Sequence, residues 1–200
     1  MAGCCRIFWL SQRRAFTFID IGANQGLYSL IAADNPHCRS VIAFEPVAAT
    51  HDRLCRNIAL SDRAGTIRPV AAAVSRESGT AAISTDAAHS GTASLRDGNG
   101  SDGAEMVRLV GGAALDEMLA GNFPMIVKVD VEGHEEAVIA ALTASAHAAR
   151  IAAVFYEVDR RWTDAAAIEA RLAAAGFARF DRFGFGRHYD VLAVRQALAG

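Results

Sequence analysis

The chain has 200 residues, of which 52% are hydrophobic and 21% are charged, and its formal net charge is −2. This is enough apolar material for one sizeable core, and a single domain of this length is ordinary. Charged residues of both signs are scattered and form no long basic block, which argues against a nucleic-acid-binding protein.

Strand-like and helix-like segments alternate along the chain, each indicated by the spacing of its apolar residues. The first predicted strand spans 16–21 and ends in the turn GANQG, after which the helical run LYSLIAA stops near Asn35-Pro36. Further strands are predicted at 40–44, 66–74, 125–131, 151–158, 177–183 and 189–194. Further helices are predicted at 48–60, 115–119, 135–142 and 165–175.

One segment, 86–104, interrupts this alternation because it is rich in Gly, Ser, Asp and Ala. Short strand-like runs at 80–85 and 106–110 bracket it. We expect an inserted hairpin with a mobile tip rather than a second domain. The predicted organisation is a short N-terminal segment at 1–15, a remnant or a docking segment, followed by one domain at 16–200.

The order of these segments predicts a doubly wound α/β fold. Apolar strands that alternate with helices are typical of a parallel sheet covered on both faces. The last two strands are joined only by the loop GFGRH, whereas a parallel crossover needs a helix or about a dozen residues. The final pair must therefore be antiparallel, within a mostly parallel seven-stranded sheet.

The turn after the first strand, DIGANQG, is the strongest candidate for a ligand site. Ligands of open α/β sheets bind at the carboxyl ends of the strands, beside the first strand. Gly22 and Gly26 would let the backbone approach a ligand closely, and Asn24 can hold a left-handed turn. The turn lacks the G-x-G-x-x-G pattern of a pyrophosphate site, and Asp20 favours a phosphate-free cation instead. The alternative is a tight turn without a ligand.

A second carboxylate, Glu45, ends the next strand, about 20 residues after this turn. A carboxylate at that place can bind both ribose hydroxyls of an adenosyl group, although nicotinamide enzymes use it as well. A surface glutamate before a turn led by Pro46 is the weaker interpretation. Val74, at the end of the third strand, is expected to flank the adenine, and an ordinary buried strand residue is nearly as good an interpretation.

Charged residues also interrupt the apolar strand at 125–131. Lys128 and Asp130 lie two positions apart and share one face, where an unpaired charge would be costly to bury. For Lys128 we favour a structural ion pair. Asp130 ends the strand, Glu132 lies in the following turn, and Glu157 ends the next strand at the same rim. We predict that these three carboxylates are functional, and we predict no metal-ligand set.

The histidines are unclustered in the sequence, and His134 alone is adjacent to the predicted site. The others that we considered are treated as ordinary surface or core residues: His51, His89, His147 and His188. Trp162 could wall a pocket, although a lone aromatic near a helix start more often packs.

The cysteines and the N-terminal segment bear on the cellular compartment of the protein. The four cysteines have no zinc-ligand spacing, and the opening MAGCCRIFWLSQRR has only a short apolar run. No stretch approaches the about 18 apolar residues of a membrane span. We therefore expect a cytoplasmic protein with reduced thiols.

These motifs resemble the FkbM family of methyltransferases. The matching stretches are FIDIGANQGLYSL, VIAFEPVAATHDRLCRNI, IVKVDVEGHEEAVI and the strand end FYEV, and the likeness covers 16–194. The resemblance implies a class I methyltransferase fold that binds S-adenosyl-L-methionine. The motifs and the resemblance together predict these cofactor-binding residues: Asp20, Gly22, Ala23, Asn24, Gly26, Glu45, Pro46 and Val74.

The resemblance also implies O-methylation of a hydroxyl on a small molecule, natural product or saccharide. The hydroxyl must lose its proton near the transfer, so a carboxylate base is expected, either Asp130 or Glu132 with Glu157 as the third candidate. The sequence leaves open a divalent metal held by the same acidic residues, and a homo-oligomer.

Two other functions compete with this reading. A catalytically silent S-adenosyl-L-methionine- or nucleotide-binding module would keep the turn and Glu45 without an acceptor pocket, and the three carboxylates argue against it. An NAD-dependent oxidoreductase is disfavoured by the missing third glycine and by the antiparallel C-terminal pair.

Overall fold

The computed structural model describes residues 12–84 and 104–195. The first half of the chain forms β1 (Phe16–Ile21), α1 (Leu27–Asp34), β2 (Cys38–Phe44), α2 (Ala48–Ala59), β3 (Ile67–Val70), β4 (Ala73–Val74) and β5 (Gly79–Ser84). The second half forms β6 (Ala104–Val110), α3 (Gly112–Leu119), β7 (Met125–Val129), α4 (Glu135–Ala144), β8 (Ile151–Asp159), α5 (Ala165–Ala174), β9 (Phe177–Phe183) and β10 (His188–Arg195). A short 3-10 helix, Ala148–Arg150, precedes β8.

The main sheet has seven strands in the order β3-β2-β1-β7-β8-β10-β9. The first five strands in this order, β3, β2, β1, β7 and β8, pair in parallel. Strand β10 is antiparallel to both β8 and β9. The predicted mostly parallel seven-stranded sheet and its antiparallel C-terminal pair are therefore confirmed. The chain moves outward from β1 to β2 and β3, and later from β7 to β8, so the order reverses between β1 and β7. The loops that follow these two strands lie side by side, where ligands of such sheets bind.

Helices cover both faces of the sheet, as the continuous apolar strands predict. Every residue of β1 and β7 is buried. One buried cluster joins the sheet to α3, α4 and α5, and a second joins the opposite face to α1 and α2. Hydrophobic burial on both faces fixes β1 and β7 at the centre of the molecule, which makes the loops at their ends well supported.

The predicted third strand at 66–74 is wrong as a single element. Its first half is β3 of the main sheet, and its second half is β4 of a separate three-stranded sheet with the order β4-β6-β5. The amide of Ala72 donates to the carbonyl of Val70, 2.9 Å away, and this tight turn redirects the chain between the two sheets.

The predicted insertion is confirmed as far as the described residues reach. Strands β5 and β6 pair antiparallel, as a hairpin requires. Ile83 and Val107 of this hairpin pack against Val47, just after β2. The predicted tip at 86–104, apart from Ala104, lies outside the described residues, as does most of the predicted segment 1–15.

None of the α-helices in the described ranges combines the length and the apolar character that crossing a membrane requires.

Candidate active site

The loop after β1 is shaped by backbone contacts with the two neighbouring strands. The amides of Gly22 and Ala23 both donate to the carbonyl of Phe44 at the end of β2, at 3.0 and 2.9 Å. Gly22 has φ +76°, and a Cβ added there would lie 1.9 Å from the carbonyl oxygen of Asp130. The glycine is therefore required so that the loop can touch the chain just after β7. Protein backbone fills the space that we had expected to serve the approach of a ligand.

The other two predicted turn residues also have positive φ. Gly26, with φ +90°, precedes α1, and a Cβ added there would lie 2.6 Å from the side chain of Leu54. Asn24 holds φ +50°, which agrees with the predicted left-handed turn, and its side chain is exposed. Asn24 thus presents a polar group to the solvent at the carboxyl end of β1, whereas Ala23 is buried.

Glu45 ties this loop to the end of β2. One carboxylate oxygen accepts a hydrogen bond from the amide of Asn24, and the other accepts one from the amide of Val47, both at 3.0 Å. The side chain is nearly buried, and this burial raises the pKa of Glu45, although the two amides and the charge of Lys128 oppose the shift. Each oxygen keeps a second lone pair for an incoming hydroxyl donor. Pro46 follows, half-buried.

Beneath the loop lies a buried ion pair between Asp20 and Lys128. One oxygen of Asp20 accepts a hydrogen bond from the hydroxyl of Ser29 at 2.7 Å. The other lies 3.3 Å from Nζ of Lys128, although no donor of the described chain is aligned with it for a hydrogen bond. The side chains of Asp20 and Lys128 are 0% and 3% exposed, so the carboxylate of Asp20 is not accessible for direct contact with a ligand.

Lys128 connects both loops at the switch point. Its ammonium donates to the carbonyl of Gly22 at 2.7 Å and lies 3.4 Å from a carboxylate oxygen of Asp130. Burial lowers the pKa of Lys128, but the charges of Asp20 and Asp130 outweigh it, so the net shift is upward. The lysine stays protonated at neutral pH, and the predicted structural ion pair is confirmed.

Asp130, Glu132 and Glu157 come together at the carboxyl ends of β7 and β8, and we call them the acidic cluster. One carboxylate oxygen of each lies within 4.8 Å of those of the other two, a spacing that a bound hydroxyl or a cation could bridge. Burial, followed by the charge of Asp130, raises the pKa of Glu157 to about 7, while a hydrogen bond from His188 opposes the shift. Negative charge therefore dominates this part of the rim.

Two residues of this region were missed or misjudged in the sequence. His188, treated above as unclustered, has Nε2 at 2.5 Å from Oε1 of Glu157. Asp190 is the cross-strand partner of Glu157, and burial and the charge of Asp130 raise the pKa of Asp190. The antiparallel direction of β10 explains both positions, because the first residues of an antiparallel strand lie at the carboxyl edge of its parallel neighbours. That direction was predicted, so the signal was available.

Comparison with known proteins identifies the family. Residues 20–179 match the family described as "Methyltransferase FkbM domain". The chain belongs to this family. The match includes both loops of the switch point and the acidic cluster.

Two curated relatives of this FkbM domain are also methyltransferases by name. Hexuronic acid methyltransferase AglP of Haloferax volcanii is 35% identical over 126 residues, which are 62% of this chain and 48% of that protein. Methyltransferase sdnD of Sordaria araneosa is 32% identical over 115 residues, 57% of this chain and 43% of that protein. The chain thus matches less than half the length of either relative.

Solved structures show that the FkbM domain has the class I methyltransferase fold. A methyltransferase FkbM from Methylobacillus flagellatus has a TM-score of 0.62 at 13% identity, covering 90% of this chain and 43% of that one. A putative tRNA (m1A22) methyltransferase from Streptococcus pneumoniae has a TM-score of 0.60 at 12% identity, covering 98% and 70%. At these identities the likeness shows the fold alone.

The remaining predicted residues of the FkbM domain lie in other surroundings. Val74 is 1% exposed and belongs to the core, so the structure places its side chain away from the surface. His134 occupies the N-cap position of α4 without a side-chain capping hydrogen bond, and its Nε2 lies 3.2 Å from the hydroxyl of Ser75. Trp162 is exposed beside the guanidinium of Arg161, 5.5 Å from the ring centroid, and is therefore not a core residue.

The raised pKa of Glu157 predicts a pH-dependent stability. The pKa is about 7 in the folded chain and about 4.3 unfolded, so the folded state binds the proton more tightly. The stabilisation is full below pH 4.3 and is lost as the pH rises through 7. Because His188 also gains protons on folding, through its bond to Glu157, its contribution has the same sign.

The test compares the wild type with Glu157→Gln, which imitates the protonated form at every pH. We expect the melting temperature of the wild type to fall relative to that of the variant between about pH 5 and 8, by about 2–4 °C, which corresponds to about 1 kcal/mol after allowance for solvent screening. Glu117→Gln, at an exposed position on α3, should run parallel to the wild type. A constant difference between wild type and E157Q would contradict the assignment.

Proposed function

We propose that this FkbM domain is an S-adenosyl-L-methionine-dependent O-methyltransferase that acts on a hydroxyl of a small molecule, natural product or saccharide. The catalytic domain is proposed to span 16–200 and to work in the cytoplasm. The observation that carries the proposal is the arrangement of Glu45, which is held by two backbone amides at the carboxyl end of β2 and joined there to the loop after β1.

The charges at the switch point fit this cofactor. S-adenosyl-L-methionine supplies a methyl group on a positively charged sulfonium and carries an ammonium, but it has no phosphate. The carboxylates of Asp20, Glu45 and Asp130 surround the loop, and the one lysine among them is buried and paired. This charge favours a cationic ligand over a pyrophosphate. Glu45 is pre-organised to accept the ribose hydroxyls, because its backbone bonds hold the carboxylate in place.

The acidic cluster faces the place where the acceptor would lie, at the ends of β7 and β8. Methyl transfer needs the acceptor oxygen in line with the methyl group and bulk water kept away. Asp130 and Glu132 can each accept a hydrogen bond from the acceptor hydroxyl, which orients its lone pair and draws on its proton. Glu157 extends the same negative surface toward β10.

Cofactor identity is tested first by calorimetric titration of the whole chain with S-adenosyl-L-methionine and, separately, with NAD. We expect binding of the former and no heat from the latter. Binding of NAD alone would overturn the proposal.

Glu45→Gln is expected to weaken S-adenosyl-L-methionine about 10–100-fold, which corresponds to a charged hydrogen bond of about 1.5–3 kcal/mol. The amide group of the glutamine would also face a backbone amide, donor against donor, at Asn24 or Val47. The same titration measures the effect, and Glu117→Gln serves as the matched control on α3. Equal affinities of E45Q and the wild type would remove Glu45 from the site.

Asp130→Asn combined with Glu132→Gln is expected to lower turnover about 10²-fold or more while the affinity for S-adenosyl-L-methionine changes little. The name of the relative from Haloferax volcanii suggests the probes, p-nitrophenyl β-D-glucuronide and the uncharged p-nitrophenyl β-D-glucoside. The rate of S-adenosylhomocysteine formation, measured by mass spectrometry, gives the turnover. Unchanged turnover would exclude these two carboxylates from the reaction.

A further inference from the structure

The first residue of β10 adds a histidine to the acceptor side of the site. In the backbone register, His188 of β10 lies opposite Asp159 of β8, at the carboxyl edge of the sheet. Its ring is directed toward Glu157. The side chain of His188 is 54% exposed, whereas that of Glu157 is 21% exposed. The imidazole therefore lies between a shielded carboxylate and the solvent-facing rim.

The hydrogen bond to Glu157 decides which ring nitrogen can accept a proton. When Glu157 is ionised, Nε2–H of a neutral imidazole donates to it, and Nδ1 keeps its lone pair. No residue of the described ranges hydrogen-bonds to Nδ1. A carboxylate on one nitrogen fixes the tautomer, orients the ring and stabilises the imidazolium that forms when the other nitrogen takes a proton.

We propose that His188 accepts the proton of the acceptor hydroxyl at Nδ1, and that Glu157 is the positioning residue that holds its ring. This inference rests on the proposed methyltransferase function and assigns the destination of the proton within it. Asp130 and Glu132 then hold the acceptor hydroxyl by hydrogen bonds, while His188 receives its proton.

The surrounding charges favour an imidazolium at this place. The groups that face the pair are Asp130 at the end of β7, Glu132 in the following loop, Asp159 on β8, Asp190 on β10 and Arg161 after β8. Arg161 is paired with Asp159. The net charge is negative, and the hydrogen bond that His188 donates to Glu157 raises the pKa of His188. A proton that arrives at Nδ1 is therefore stabilised.

The proposed step balances in atoms and electrons. The O–H bond of the acceptor breaks as its proton joins Nδ1, and its oxygen lone pair forms the bond to the methyl carbon. The bond between that carbon and sulfur breaks with its electron pair on sulfur, so the sulfonium becomes a neutral thioether. The imidazolium then releases its proton to water at the exposed rim.

The tautomer can be measured without any acceptor. Nitrogen-15 spectra are recorded at pH 9 on the chain with labelled histidines. The signals of His188 are identified because they are absent from the spectrum of His188→Gln. We expect a proton on Nε2 and none on Nδ1 in the wild type, and a mixture of tautomers in Glu157→Gln. A proton fixed on Nδ1 of the wild type would overturn the proposal.

Chemical rescue tests the role in turnover. With the glycoside that the wild type methylates faster, His188→Ala should lower kcat about 10²-fold or more, raise the KM for the acceptor far less, and leave the calorimetric affinity for S-adenosyl-L-methionine within twofold. Added imidazole should raise the kcat of His188→Ala at least tenfold. His147→Ala, just before β8 at the opposite edge of the sheet, is the matched control and should retain wild-type kcat.

Two results would overturn the assignment: a kcat of H188A within twofold of that of the wild type, or a loss that imidazole does not restore, which indicates a structural role. A wild type that binds no S-adenosyl-L-methionine would instead refute the proposed function itself. The two failures are therefore distinguishable.

Discussion

Lys128→Met is expected to lower the free energy of unfolding by about 3–5 kcal/mol. The methionine fills most of the same volume, but it leaves the buried carboxylate of Asp20 without its cation and removes the donor to the carbonyl of Gly22. An uncompensated buried charge accounts for most of the cost. Urea unfolding, followed by circular dichroism, measures the change.

The double variant Asp20→Asn with Lys128→Met isolates this electrostatic cause. Since the remaining charge is gone, it should regain at least half of the stability that the single variant loses. Arg63→Met is the matched control, because it removes a cation from an exposed pair with Asp34 and should cost less than about 1 kcal/mol. If K128M cost no more than R63M, the buried pair would not stabilise the fold in the way described.

Gly22→Ala is expected to cost about 2–5 kcal/mol and to abolish measurable binding of S-adenosyl-L-methionine. A Cβ at φ +76° is strained by itself, and it would lie 1.9 Å from the carbonyl oxygen and 2.9 Å from the carbonyl carbon of Asp130. Backbone cannot rotate away as a side chain can, so the loops after β1 and β7 must separate.

Thermal unfolding and calorimetry measure the two effects of this substitution. Gly65→Ala is the control, since nothing lies within 4 Å of a Cβ built there and its φ is not in the positive range. It should change stability by less than about 0.5 kcal/mol. Wild-type binding by G22A would show that the contact between the two loops does not support the site.

The sequence predicts the architecture well because the signals for it are local and strong. Continuous apolar runs mark β1 and β7, and their burial on both faces follows directly. The predicted loop GFGRH is too short for a parallel crossover, so its length alone requires an antiparallel pair, and the structure leaves only four residues between β9 and β10. The split between β3 and β4 could not be predicted, because the run of alanines at 71–73 is as apolar as a strand and hides the turn at Ala72.

The site was predictable in its parts but not in its connections. Spacing placed carboxylates at the ends of strands, yet it could not show that Asp20 is buried against Lys128 or that Gly22 accommodates the carbonyl of Asp130. His188 and Glu157 are 31 positions apart, and only the register between β10 and β8 brings them together.

The buried pair has a consequence for how sequences of this family diverge. An ancestor that loses either charge first passes through a form that has lost a large share of an ordinary domain's stability, which is about 5–15 kcal/mol in total. Exchange at positions 20 and 128 should therefore be correlated among natural homologues, with both charges kept or both replaced by neutral residues. Homologues that keep only one of the two charges should carry a new side chain of opposite charge close to the charge that remains.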